Sequence, residues 1–210
     1  GWPKSNVVTQ TMDISYDNSK INFTYLGKEV SYSSPSLDSL VATYTGEKTS
    51  SGRYYKLDHL NKSLVDNITN APGILKNLVI TNMAADSLVK INNGEMNQLF
   101  VSDSEFTKAA FVLEYNSAII SDCSLQDVSI RGDGVVTENH GAISNVKVKN
   151  ATITGNGIVT ANSNGWNGLT ATIDNCTFVN ANIGKNGIAQ TNYSLISNIN
   201  IKESKIGENG

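Results

Sequence analysis

The chemistry available to this chain is sparse. His59 and His140 stand alone, and no His-Glu-x-x-His spacing sets two zinc ligands on one helix face. Neither a Gly-x-Ser-x-Gly nucleophile turn nor a phosphate loop occurs. Glycoside cleavage needs two carboxylates about 5–10 Å apart in a cleft. The nearest pair, Asp122 and Asp127, occupies positions that hold Asn elsewhere in the chain, so turn geometry accounts for it. The reading is therefore of no catalytic residue, no metal and no cofactor. Aromatic and amide residues are better placed for binding. Trp166, Asn164 and Asn167 fall in Asn162-Ser-Asn-Gly-Trp-Asn-Gly168, and Tyr115, His140 and Tyr193 recur at comparable points of the chain. A ring offers rigid apolar area and the amides offer hydrogen bonds, which suits contact with a sugar or a protein. The alternative is that Trp166 folds back over its own backbone.

Two other motifs have simpler explanations. Arg131-Gly-Asp133 is the tripeptide that integrins read, but aligned segments carry Thr154-Gly-Asn156 and Gly207-Glu-Asn209, so a turn explains it. Six Asn-x-Ser/Thr sequons begin at Asn22, Asn61, Asn67, Asn150, Asn175 and Asn192. An Asn- and Thr-rich composition makes such triplets by chance, and glycans on Asn150 and Asn175 would collide with the repeats they belong to.

Those repeats are the elements that must position everything else. Ile120 to Ile130, Ile143 to Ile153, Ile173 to Ile183 and Ile196 to Ile206 follow one template, and Leu75 to Ala85 and Met96 to Phe106 follow it more loosely. The copies start 21, 24, 23, 30 and 23 residues apart, the period of a solenoid. Within each copy, two short runs alternate apolar and polar residues, as in Val146, Val148, Ala151 and Ile153, which means strand. An amide or acid precedes each run: Asn77, Gln98, Asp122, Asn145, Asn175 and Asn198 before the first, Asn82, Asp103, Asp127, Asn150, Asn180 and Glu203 before the second. Such residues tolerate left-handed backbone. A Gly-rich third corner, such as Gly132-Asp-Gly134, closes a triangular coil. The expected fold is all-β: a parallel, right-handed β-helix of about six triangular coils. Coils would stack about 4.8 Å apart, with corner amides in ladders. Cys123 and Cys176 then lie two coils, about 9–10 Å, apart, beyond the roughly 7 Å limit of a disulfide, and should be buried free thiols.

Residues 1–70 are expected to form a β-rich cap or small attachment domain, and 71–210 the β-helix, truncated at its C-terminal end and so part of a longer chain. Strands are expected at Met12 to Tyr16, Ile21 to Leu26, Glu29 to Tyr32 and Leu40 to Tyr44, with a tight turn at Leu26-Gly-Lys-Glu29 and a short helix near Leu57 to Val65. A net charge of −3, with 16 basic residues scattered among 19 acidic ones, argues against a nucleic-acid partner. No apolar run is long enough for a transmembrane helix, so membrane insertion is not expected.

The phrasing of Gly73-Ile-Leu-Lys-Asn-Leu-Val-Ile-Thr-Asn82 and of Ala142 to Gly155 resembles the β-helical repeats in the N-terminal half of Gram-positive cell-surface zinc metallopeptidases of the IgA1-protease type, and is similar to short-repeat regions of bacterial adhesins. The resemblance spans Ile74 to Gly210 and does not include the zinc motif. It implies a non-catalytic spacer or substrate-positioning domain. The expectation is a binding or spacer module of a bacterial extracellular or cell-surface protein, adhesin-like, whose partners are a host or bacterial surface protein or glycan and the remainder of its parent chain. The alternatives are an accessory domain of a secreted zinc metallopeptidase and a β-helical polysaccharide-cleaving enzyme or phage tailspike fragment. The longest spacing puts an insertion at 162–168, and insertions in solenoids gather on one side, often the binding side.

Overall fold

A computed structural model describes residues 63–68, 74–165 and 168–207, the side chains of 65–68, 74 and 77 apart, and the backbone of strands at 7–9, 15–17, 20–25, 28–33 and 54–58. Every regular element among these residues is a strand. The coil beginning at Ala142 shows the plan, with strands Ala142–Ser144, Lys147–Ile153 and Val159–Asn162. Each pairs in parallel with its equivalent on either side: Ile119–Ser121, Ser124–Ile130 and Val136–Asn139 below, Thr172–Asp174, Thr177–Ile183 and Ala189–Asn192 above. Leu75, Met96, Ile120, Ile143, Ile173 and Ile196 stand in one column, so the six copies read from the sequence are six stacked β-solenoid coils in the same register.

The corners follow from backbone sterics. A positive φ brings Cβ against the following carbonyl, a conflict that Asn and Asp relieve best because their short polar side chains bond locally. Among the described residues, the non-glycine positions with positive φ are Asn82, Gln98, Asp103, Asp122, Asp127, Asn145, Asn150, Asn175, Asn180, Asn198 and Glu203, at 50° to 54°. These are the expected corners; Asn77, the twelfth, lies outside the described side chains. Between corners the alternation holds. Cys123, Leu125, Val128 and Ile130 point inward and are buried, as are Val146, Val148, Ala151 and Ile153 above them. Ser104, also inward, is matched to the corner: its hydroxyl accepts from the Met83 amide at 3.0 Å and donates to the Ser102 carbonyl at 2.6 Å.

The Gly corner has no room for a side chain. A Cβ on Gly134 would stand 1.9 Å from the Gly157 carbonyl oxygen, and one on Gly157 would stand 1.9 Å from that of Gly187. Backbone here rests directly on backbone from coil to coil.

The expected N-terminal strands are present in part. Ser15–Asp17, Lys20–Tyr25 and Lys28–Ser33 form an antiparallel sheet. Tyr25 pairs with Lys28, so Lys28 belongs to a strand and not to the expected turn; Leu26 and Gly27 lie outside the described residues. The strand at Leu40 to Tyr44 lies outside the described residues. The helix near Leu57 to Val65 is not formed where described: Tyr54–Asp58 and Val65–Ile68 are strands. Tyr55 and Leu57 pair with Leu78 and Ile80, and Val65 pairs with Val89, so pairing to the next coil overrides local preference. Val7–Thr9 in turn pairs in parallel with Tyr54–Asp58. Parallel pairing thus reaches back past residue 71.

Candidate functional site

The inside of the stack carries a polar spine that sequence reasoning missed. Asn92, Asn116, Asn139 and Asn162 are fully buried at the ends of successive strands. Each Nδ2 donates to the Oδ1 of the next amide: Asn92 to Asn116 at 2.7 Å, then Asn116 to Asn139, Asn139 to Asn162 and Asn162 to Asn192 at 2.8 Å. The remaining capacity goes to backbone, two residues on or in the next coil. Asn139 Oδ1 accepts from the Gly141 amide at 3.3 Å, and its Nδ2 also reaches the Gly141 carbonyl at 3.1 Å. A buried amide is tolerated only when its hydrogen bonds are met, and here the repeat meets them. Asn116 and Asn139, the sequence neighbours of Tyr115 and His140, therefore face inward. Asn162, read as the start of the insertion, belongs to the spine. The signal was their recurrence at one repeat position.

The spine turns the chain outward at a loop edge, where several of the expected binding residues gather. Backbone hydrogen bonds from His140 to the Asn116 carbonyl, Ser163 to Asn139 and Tyr193 to Asn162 put His140, Ser163 and Tyr193 in one column on successive coils. Tyr115 stands in register with Glu138, and its ring meets His140 edge-on with centroids 6.4 Å apart. Tyr193 is 74% exposed. The insertion springs from this edge: Asn162 to Thr172 is ten positions, where the equivalent Asn139 to Ala142 is three. Asn164 closes its base, its Oδ1 accepting from the Ala171 amide at 3.3 Å and the Ser194 hydroxyl at 2.7 Å. Gly165 and Gly168 carry the turn, and Leu169 is 62% exposed. Trp166 and Asn167 lie outside the described residues.

His140 is held from two sides. Its Nε2 is 3.3 Å from Glu138 Oε2, and its Nδ1 is 3.1 Å from Ser163 Oγ and 3.2 Å from the Ser163 carbonyl oxygen. Hydroxyl, imidazole and carboxylate in that order have the connectivity of an acyl-transfer relay. The geometry favours a clasp instead. The nitrogen that would take the serine proton also faces a carbonyl acceptor, so it is placed to donate and not to accept. Among the described residues no three His, Cys, Asp or Glu side chains are grouped to hold a metal.

The other motifs resolve into structure. Asp133 of the Arg-Gly-Asp tripeptide is buried, 7% exposed. Its Oδ1 accepts from the Asn156 backbone and side-chain amides, both at 2.8 Å, and its Oδ2 accepts from Thr160 Oγ1 at 2.7 Å. A carboxylate so committed is not on offer to a receptor. Asp122 accepts from Asn145 at 3.0 Å and Asp127 from Asn150 at 2.9 Å, which makes them corner-ladder members. The sequon residues Asn150 and Asn175 donate through the Nδ2 that a glycan would occupy. Cys123 and Cys176 are buried and free. Burial pushes the Cys123 thiol from the ordinary 9.0 up to about 12 and the Cys176 thiol up to about 11, so neither is a nucleophile near neutral pH.

No family model, curated protein or solved structure matches this chain.

Proposed function

We propose that this chain is a non-catalytic binding and spacer module of a bacterial cell-surface or secreted protein, holding a protein or glycan ligand against its loop edge. The supporting observation is that, among the described residues, the long insertion and the exposed ring of Tyr193 share an edge with Tyr115 and His140. A side-chain-bonded stack is a stiff spacer, and an insertion on one edge is where such a scaffold displays its contacts. If the chain is kin to the zinc metallopeptidases its repeats resemble, the same edge would position substrate for chemistry performed elsewhere in the parent.

The experiment is a screen of the 210-residue chain against immobilised glycans and bacterial and host surface proteins, followed by titration of hits with Tyr193→Ala and Trp166→Ala. The expected result is a hit weakened about tenfold or more by either variant. A hit of unchanged affinity in both variants removes the loop edge, and a screen without a hit removes the binding reading.

A further inference from the structure

A second place on the molecule is shaped for a ligand. At the corner between the short strand and the long one, a groove of about 340 Å³ runs along the solenoid axis across four coils. One wall is the corner ladder of Asp122, Asn145 and Asn175, locked to one another: Asn145 donates to Asp122 at 3.0 Å and Asn175 donates to Asn145. The other wall is Ser124, Lys147 and Thr177, in register on consecutive coils. None of these three side chains makes a hydrogen bond or ion pair among the described residues. Phe100, in register with Ser124, and Gln98 close one end.

We propose that this groove is a binding site for a linear, neutral glycan lying parallel to the axis. The wall offers one free polar group per coil, and coils repeat about every 4.8 Å. An extended peptide advances only about 3.3 Å per residue and falls out of step within two coils. A pyranose unit is close to one coil in length, so a glycan keeps step. Charge selects the same class: the Asp122 carboxylate opposes a polyanion, and Lys147 opposes a polycation. The ladder wall is fixed by its own hydrogen bonds, so it loses little freedom on binding. The proposal deepens the binding-module reading and rests on it, but at a different corner of the coil from the loop edge.

The test is calorimetric titration of the whole chain with cellohexaose, xylohexaose and chitohexaose, with the matching trisaccharides and hexagalacturonate for comparison. One neutral hexasaccharide should bind, its trisaccharide comparably because three units already meet the three polar positions, and the Ser124→Ala/Thr177→Ala double variant should lose about tenfold in affinity, the equivalent of two modest hydrogen bonds. Both residues are partly exposed and outside the core, so circular dichroism should confirm an unchanged fold. Tyr193→Ala should leave this binding intact, which separates failure of the groove from failure of the loop edge. The proposal is overturned if no neutral hexasaccharide binds, if hexagalacturonate binds better, or if the double variant binds as well as the original.

Discussion

Asn116 and Asn139 are joined by a side-chain hydrogen bond of 2.8 Å inside the stack, although 23 residues separate them in sequence. Both side chains are fully buried, and each amide is also tied to backbone just before the next strand. The bond is one rung of a continuous ladder from Asn92 to Asn192. It converts what would be buried polar groups into the element that holds one coil in register with the next.

Removing a rung should therefore cost more than removing an outer amide. Asn139→Ala takes the side-chain partner from the Nδ2 of Asn116 and from the Oδ1 of Asn162, and an unsatisfied buried group costs about 1–3 kcal/mol. Asn180→Gly removes a bond between exposed corner residues without adding strain at its positive φ of 53°, and should cost less than about 1 kcal/mol. Urea denaturation of the two variants measures the difference; equal losses would show that the inner ladder is no stronger than the outer one.

Gly157→Ala should be among the most damaging single substitutions. The added methyl meets the Gly187 carbonyl oxygen at 1.9 Å, and backbone cannot move aside without opening the coil above. A loss of about 3 kcal/mol or more is expected, at or beyond the upper end for overpacking. Limited proteolysis near residues 157–187 should show it. Unchanged resistance would mean that the coils can separate locally at little cost.

The thiols provide a probe of the core. Cys123 and Cys176 should react with Ellman's reagent only as fast as the stack unfolds, giving two thiols in denaturant and none at once in native buffer. Rapid labelling of either in the folded chain would contradict its burial.

Stability should fall at both pH extremes, for opposite reasons. The folded thiols are raised above their ordinary 9.0, so their contribution is complete below pH 9 and is lost as pH climbs toward 11 and 12. The Asp127 and Asp174 carboxyls are depressed from 3.8, Asp127 chiefly by the Asn150 amide and then Gln126, Asp174 by the Ser197 hydroxyl and then Asn198. Their contribution is present above pH 3.8 and is lost as pH falls through the lower folded values. Thermal melts should show a plateau between, and a Cys123→Ala/Cys176→Ala double variant should lose part of the alkaline decline. An identical decline in the variant would assign it to other groups.

Asp133 gives a functional counterpart. Asp133→Ala should destabilise by about 2–3 kcal/mol, because the Asn156 amides and the Thr160 hydroxyl lose their acceptor. The folded chain should not compete with an Arg-Gly-Asp peptide for a purified integrin. Competition by the folded chain would mean that Asp133 leaves its pocket at low cost.

The amino-acid sequence alone determined the coil. Alternation, the corner amides and the copy starts at 75, 96, 120, 143, 173 and 196 are local or repeated features, and a column in register is what repetition with strand periodicity must build. The separation of the cysteines followed from counting coils. Tertiary structure decided where the chain's own preferences were outvoted. Leu57 joined a strand because Ile80 was there to pair with it. Asn116, Asn139 and Asn162, polar residues at the ends of strands, turned inward and not outward. A single amide at that position would face a desolvation cost with nothing to offset it, so one coil read alone places it on the surface. Only when the next coil sets a second amide 2.8 Å away does the interior become its favourable place, and that partner is 23 or 30 residues distant along the chain.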